Sequence, residues 1–249
     1  MFAKEPDPGN FAQAALGLGS MQGPTTTERP FRSARREQRA ASAGLERRML
    51  IWLAQHTPSR INSDHLTLLG SISMFLAGAS YALARQHPAG FLLATLFLGL
   101  NWLGDSLDGT LARVRRRERP RYGFYVDHIL DTFGALFIMG GFAISGYVSL
   151  PVAAGMLMAF LMLSIEVYLS TYSLGVFRLS FLKFGPTEVR IFLAAASLVL
   201  WHNPEMRVFG TCYRLLDFGG CVAIAGMVVI LVISVGLHVC ELYREERLP

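Results

Sequence analysis

Residues 105–131 read DSLDGTLARVRRRERPRYGFYVDHILD, and an apolar run lies on either side of them. Aspartates at membrane depth are costly, so a cluster of them between apolar runs requires a task or a partner. Asp105 and Asp108 are three residues apart, and Ala112 follows seven after Asp105. On a helix these three share one face. Asp127 and Asp131 are four apart and share a face of their own. Two helices turning these faces toward each other would make a pocket rich in carboxylate oxygen. Four carboxylates alone would repel one another. Hard divalent cations such as Mg²⁺ or Mn²⁺ take carboxylate oxygen and remove that repulsion. Such ions would in turn bind a diphosphate. Gly109 and Gly123 have no side chain, so a bulky ligand can approach the backbone there. Arg113 stands one turn past Gly109, and its planar fork suits a phosphate oxygen.

The surrounding composition agrees with a membrane setting. The chain has 249 residues, 52% hydrophobic and 16% charged, with a mean hydropathy of +0.39. That is too apolar for an ordinary soluble domain and fits a polytopic membrane protein. The net charge of +5 comes from arginines that flank apolar segments. They point to an anionic membrane surface rather than to nucleic acid, for which no stacking or base-reading motif is present. Cys212, Cys221 and Cys240 form neither a metal spacing nor a disulfide framework. Cys221 and Cys240 lie in an apolar run and are expected to be packing residues. The N-terminus lacks the basic, apolar and small-residue sections of a signal peptide.

The expected fold is an all-α integral membrane protein. Residues 1–44 are rich in Pro, Gly, Ser, Thr, Gln and Arg and are expected to form a mobile cytoplasmic tail. Residues 45–57 are too short to span a membrane. Leu45, Met49, Trp52 and Leu53 fall on one side of a helix there, either interfacial or packed on the protein's own face. Pro58 ends it. Six spans are expected between about residues 62 and 243. The first runs from Asn62 to Leu83, and the second opens at Pro88 and runs into the aspartates. The third starts at Gly123 or Phe124 and reaches about Val148. The fourth runs from Pro151 to near Leu174, and the fifth, a short one, from Thr187 to about Trp201. The sixth runs from Phe218 to about Leu242. Arginines crowd the N-terminal segment, the turn between spans two and three, and the C-terminal YREER. By the positive-inside rule, both termini and the aspartates are expected on the cytoplasmic side. The run Arg115, Arg116, Arg117, Arg119 and Arg121 is expected to set that topology and to help toward anionic headgroups.

The pattern D-x2-D-G-x2-A-R-x9-G-x3-D-x3-D, complete from Asp105 to Asp131, resembles the signature of the CDP-alcohol phosphatidyltransferase family. The resemblance implies that Asp105, Asp108 and Asp127 hold a pair of Mg²⁺ or Mn²⁺ ions, with Asp131 beside them. It implies that Asp131 is the general base for the acceptor hydroxyl. Asp105, Asp108, Gly109, Ala112, Arg113 and Gly123 would hold the cytidine diphosphate. The expected reaction moves a substituted phosphoryl group from a CDP-alcohol, such as CDP-diacylglycerol, to an alcohol acceptor, with release of CMP. A membrane lipid is one participant, and family members often pair as homodimers. Two metals suit such an in-line displacement because they stabilise both the attacking and the departing oxygen.

Acceptor contacts are sought elsewhere. His128, directly after Asp127, is similar to the choline and ethanolamine phosphotransferase branch; the alternative is an imidazole turned onto a backbone carbonyl. Glu166 is a carboxylate inside the fourth span. It either contacts the acceptor or, the preferred reading, pairs with Arg190 or Arg178. Arg178, Lys183, Glu188 and Arg190 stand at the start of the fifth span; the cations could bind a phosphate on the acceptor or simply mark the inner side. Two other classes remain for the whole chain. A cation transporter would place its carboxylates along a path and repeat them in an inverted half, and no second set is present. An inactive scaffold would have no need for the complete motif.

Overall fold

The computed structural model describes residues 43–174, 186–202, 205–208 and 211–246. Seven helices and one small hairpin are built from them. Helix α1 spans Ala43–His56, α2 Ser63–Leu83, α3 Ala89–Val114, α4 Pro120–Ser145 and α5 Leu150–Leu174. Helix α6 spans Pro186–His202 and α7 Leu215–Glu245, with antiparallel strands β1 (Glu205–Val208) and β2 (Thr211–Arg214) between them. The expected tail of residues 1–44 lies outside the described residues, apart from Ala43 and Gly44, which open α1. The hairpin between α6 and α7 was not anticipated.

The boundaries follow local chemistry. Asn62 precedes α2 in an extended conformation, and its N–H donates to His65 Nδ1 at 3.0 Å. Helix α3 runs straight through Asp105 and Asp108 and stops at a tight turn in which Arg116 adopts a positive φ of 52°. Pro120 then occupies the first turn of α4, where its missing N–H costs nothing. Helix α4 ends at Gly146, whose φ of 77° belongs to the left-handed region. The Asp217 carboxylate accepts from Ser149 N–H at 2.7 Å, just ahead of α5, and so ties the start of α7 to the start of α5.

Helices α2, α3, α4, α5 and α7 are each long and apolar enough to cross a membrane. Helix α6, at 17 residues, spans about 25 Å at 1.5 Å per residue, short of a ~30 Å hydrocarbon core. Apolar residues face outward along these helices, as on α7 at Val222, Val229, Val232 and Val239. Such a surface is untenable in water and ordinary against lipid. Cys221 and Cys240 also lie exposed on α7, unbonded to each other, so the expected interior packing does not hold for them. A stripe at either position is as apolar as the rest of α7, and the sequence has no period there to separate inside from outside.

Helix α2 is the centre of the packing. Both α3 and α4 lie along it, and α3 in turn carries α6 and α1. Glycines permit the approach. A Cβ on Gly104 of α3 would stand 2.7 Å from Leu66 O and 2.8 Å from Gly70 N of α2. A Cβ on Gly141 of α4 would collide with the carbonyl of Gly78. Small residues at such contacts are how membrane helices gain packing energy without a hydrophobic drive. The core between these helices contains Ala77, Tyr81, Phe91, Ala94, Leu98, Ile138 and Phe142. Buried Tyr81 bonds Ser197 of α6 through its hydroxyl at 2.8 Å. Helix α1 settles between the two expected readings: Leu50 and Ala54 are buried with Leu66, Leu107 and Leu111, while Met49 and Trp52 face outward. Glu46 also accepts from Trp102 Nε1 at 3.2 Å, which fixes α1 to α3.

Helices α5 and α7 share a buried polar cluster. Glu166 Oε1 accepts from Ser234 Oγ at 2.8 Å and lies 2.6 Å from His238 Nδ1. Glu166 was expected to pair with Arg190 or Arg178. Its partner is instead His238, 72 residues on, because α7 rather than α6 packs on α5.

Two stability outcomes are expected. Replacing Gly104 by Ala gains about 1 kcal/mol of helix propensity but forces α3 off α2, for a net loss of about 1–3 kcal/mol. Gly99→Ala, where nothing lies within 4 Å, should be neutral or stabilising. Thermal unfolding in detergent separates the two, and equal melting temperatures would contradict the close approach. His238→Ala should cost about 1–3 kcal/mol by stranding the Glu166 carboxylate, whereas the double variant Glu166→Leu, His238→Leu should recover most of it. A double variant less stable than the single one would rule out this account.

Candidate active site

The aspartates arrive at one place by way of α2. Asp105 and Asp108 from α3 and Asp127 and Asp131 from α4 all line a cleft of about 30 Å³. Thr67, Gly70, Ser71 and Met74 of α2 form a third wall, and Asn101 and Leu130 complete the lining. The two acidic faces therefore do not pack directly on each other. Each leans on α2, whose small side chains leave the space between them.

The groups within the cleft are tied down. Thr67 Oγ1 donates to Asp108 Oδ2 at 2.7 Å, and Ser63 Oγ donates to the Asp108 carbonyl at 2.9 Å. The Gly109 N–H donates to Asp108 Oδ1. Asp105 Oδ2 forms an ion pair with Arg190 Nη2 of α6 at 2.8 Å. The Arg190 side chain is 10% exposed and that of Asp105 31%, so this contact is shielded from water and worth more than a surface pair. Asn101 Nδ2 donates to Gly70 O at 2.9 Å.

Four hard oxygen donors around a space of this size suit a small divalent cation such as Mg²⁺ or Mn²⁺. Among the described residues, however, no three acidic or histidine groups are drawn together closely enough to ligate one ion as they stand. The two observations describe different things. The helices set which side chains face the cleft; rotation about χ1 and χ2 sets how far each reaches into it. Holding an ion would need that rotation, and Asp105 and Asp108 would have to share their oxygens with Arg190 and Thr67.

A second, larger cleft of about 360 Å³ lies at the loop end of α2 and α3. Ala112 lines it with Asn62, Ser63, Asp64, Leu111, Arg115, Arg117, Glu118 and Arg119. Ser63 joins the two clefts, since its hydroxyl bonds the backbone of Asp108. The basic turn has structural duties that its composition did not reveal. Arg115 donates to the carbonyls of Thr57, Pro58 and Ile61, strapping the α1–α2 connection to α3. Arg119 pairs with Asp64. These ties add to the topology and headgroup roles expected of the run.

The remaining expected residues divide. Arg113 is exposed and its Nη2 donates to Thr110 Oγ1 at 3.2 Å. A Cβ on Gly109 would meet the Arg113 guanidinium at 3.5 Å, an ordinary van der Waals contact. Nothing lies within 4 Å of a Cβ on Gly123, so the backbone there is open. Neither glycine lines the two clefts. His128 turns its Nδ1 to the Phe124 carbonyl at 2.7 Å, the geometry of the backbone-bonded alternative. Its ring lies 4.1 Å from that of Phe124 and 5.0 Å from that of Tyr168 on α5. Glu166 is held by His238 and Ser234 and is not part of either cleft. Arg178 and Lys183 lie outside the described residues, as does the side chain of Glu188. Sequence reasoning missed Thr67, Ser63, Asn101 and the α2 wall. The only signal was the polar start of α2, at Asn62, Ser63 and Thr67.

A search of curated proteins returned no match. The family model of the CDP-alcohol phosphatidyltransferases matches residues 61–238. That range opens just before α2, takes in both aspartate pairs and ends inside α7 at His238. The chain thus belongs to the CDP-alcohol phosphatidyltransferase family, membrane enzymes of lipid biosynthesis that transfer a phosphatidyl group from a CDP-alcohol.

Proposed function

We propose that this enzyme moves a substituted phosphoryl group from a CDP-alcohol such as CDP-diacylglycerol to an alcohol that itself carries a phosphate, releasing CMP. The observation behind the reading is the meeting of two aspartate pairs at one cleft, with Arg190 ion-paired to one of them, Asp105. Asp105, Asp108 and Asp127 would hold the divalent ions, with Asp131 beside them. Such ions, when bound, neutralise the diphosphate and stabilise the attacking and departing oxygens.

The chain's own groups divide the remaining work. The larger cleft beside Ala112 has room for a nucleoside, and Ser63 connects it to the acidic cleft. Gly109, Gly123 and Arg113 would meet the donor's diphosphate, as the family signature implies, from outside the lining of the two clefts. Asp131 takes the proton of the acceptor hydroxyl. The freed oxygen forms a bond to the phosphorus that bears the alcohol or lipid group. The bond from that phosphorus to the bridging oxygen breaks, and its electron pair leaves with CMP. Arg190, next to Asp105 and sheltered from water, offers a fork for the acceptor's phosphate. That is the reason to prefer a phosphorylated acceptor over diacylglycerol, since His128, which hinted at the other branch, is engaged with the Phe124 carbonyl. The arginine-rich turn between α3 and α4 supports a cytoplasmic position for both clefts.

The purified protein with Mg²⁺ or Mn²⁺ should release CMP from a labelled CDP-alcohol, and a panel of acceptors identifies the product. Asp131→Asn should lower turnover by about 10²–10⁴-fold, the usual contribution of a general base, with an unchanged melting temperature. Normal turnover in that variant would remove Asp131 as the base. Arg190→Gln should raise the KM of a phosphorylated acceptor about ten-fold or more, with the donor KM much less affected. Equal rises in both would mean that Arg190 serves Asp105 alone.

A further inference from the structure

Asn101 stands one turn before Asp105 on α3, and Asn101, Asp105 and Asp108 share the face that lines the acidic cleft. Its residue exposure is 7%. The Nδ2 donates to Gly70 O, a carbonyl that can only accept, so the amide's orientation is set and its oxygen faces the other way. Among the described residues, Asn101 Oδ1 is the one buried side-chain polar atom with no hydrogen-bond partner. Folded proteins seldom leave such an acceptor unsatisfied, and where one is left, a water, an ion or a functional role accounts for it.

We infer that Asn101 Oδ1 is a further oxygen ligand of the divalent cation, supplied from the end of the cleft away from the α3–α4 turn. The inference rests on the reading of this cleft as a cation site. Its logic is electrostatic. Four carboxylates already match the charge of two divalent ions, so a fifth acid would add uncancelled negative charge. An amide oxygen adds a ligand and no charge, and amide carbonyls are ordinary partners for hard cations. The space beside Asn101, about 30 Å³, takes an ion and excludes a nucleotide. The Gly70 bond, in turn, holds the amide in place, so its oxygen needs no ordering when the ion arrives.

The test uses the full-length protein in detergent, stripped with EDTA and titrated with Mn²⁺ alone, with free Mn²⁺ read by electron paramagnetic resonance. Asn101→Leu should bind Mn²⁺ at least ten-fold more weakly than the wild type. Asn101→Asp keeps an oxygen there and should bind as tightly or more tightly. Both variants lose the donor to Gly70 O, so the difference between them reports the oxygen together with the charge that Asp adds, and the Gly70 bond drops out of the comparison. If Asn101→Leu lowers the melting temperature in EDTA, Asn101→Ala replaces it in the same comparison. Unchanged Mn²⁺ binding in the variants without an oxygen overturns the inference. So does equal weakening in Asn101→Leu and Asn101→Asp, which would mean that only the Gly70 bond matters. A wild-type protein that binds no Mn²⁺ would instead remove the cation reading itself.

Discussion

The carbonyl of Leu66 lies where any side chain on Gly104 would have to stand, and the carbonyl of Gly78 lies where one on Gly141 would. Backbone therefore meets backbone on both flanks of α2. This contact sets the spacing of α3 and α4, and with it the width of the space between their carboxylates. Like-charged groups push such helices apart. In a membrane the counterforce is close packing of small residues rather than withdrawal from water. A bulky residue at either glycine would widen the cleft before it affected any acid directly.

Polar ties then determine how each acid is presented. Asp108 is bound by Thr67, and its backbone by Ser63, so α2 positions one acid of the first pair. Asp105 is held from the opposite side by Arg190 of α6. The Arg119–Asp64 pair, with both side chains about half exposed (50% and 52%), contributes ~0–1 kcal/mol and acts mainly to orient the turn. Arg115 does more, since it satisfies three carbonyls of the α1–α2 connection that no helix bonds would reach. The turn is thus a strap at one end of the larger cleft.

Away from the cleft, α5 and α7 are joined through Glu166, Ser234 and His238. A carboxylate inside a span is tolerated when donors meet it there. These two helices have the most apolar faces and the fewest buried residues of the five long ones, so a polar cluster gives them a fixed register that apolar stripes alone would not provide.

The aspartate signature, the all-helical membrane fold and most helix ends were legible in the sequence, because each is written in local terms. A spacing of three or four residues fixes a helix face, Pro58 marks the end of α1, and Pro88 marks the start of α3, whereas α4 begins at Pro120, ahead of the expected Gly123 or Phe124. The partners of Glu166 and Arg190, the α2 wall and the unsatisfied oxygen of Asn101 were not legible. Each depends on which helix lies against which, over separations such as the 72 residues between Glu166 and His238. Periodicity along one helix states which way a side chain points around its own axis, and says nothing about the neighbour it will find there. That neighbour was decided by tertiary packing: of α3 and α4 on α2 for the cleft, of α6 on α3 for Arg190, and of α7 on α5 for Glu166.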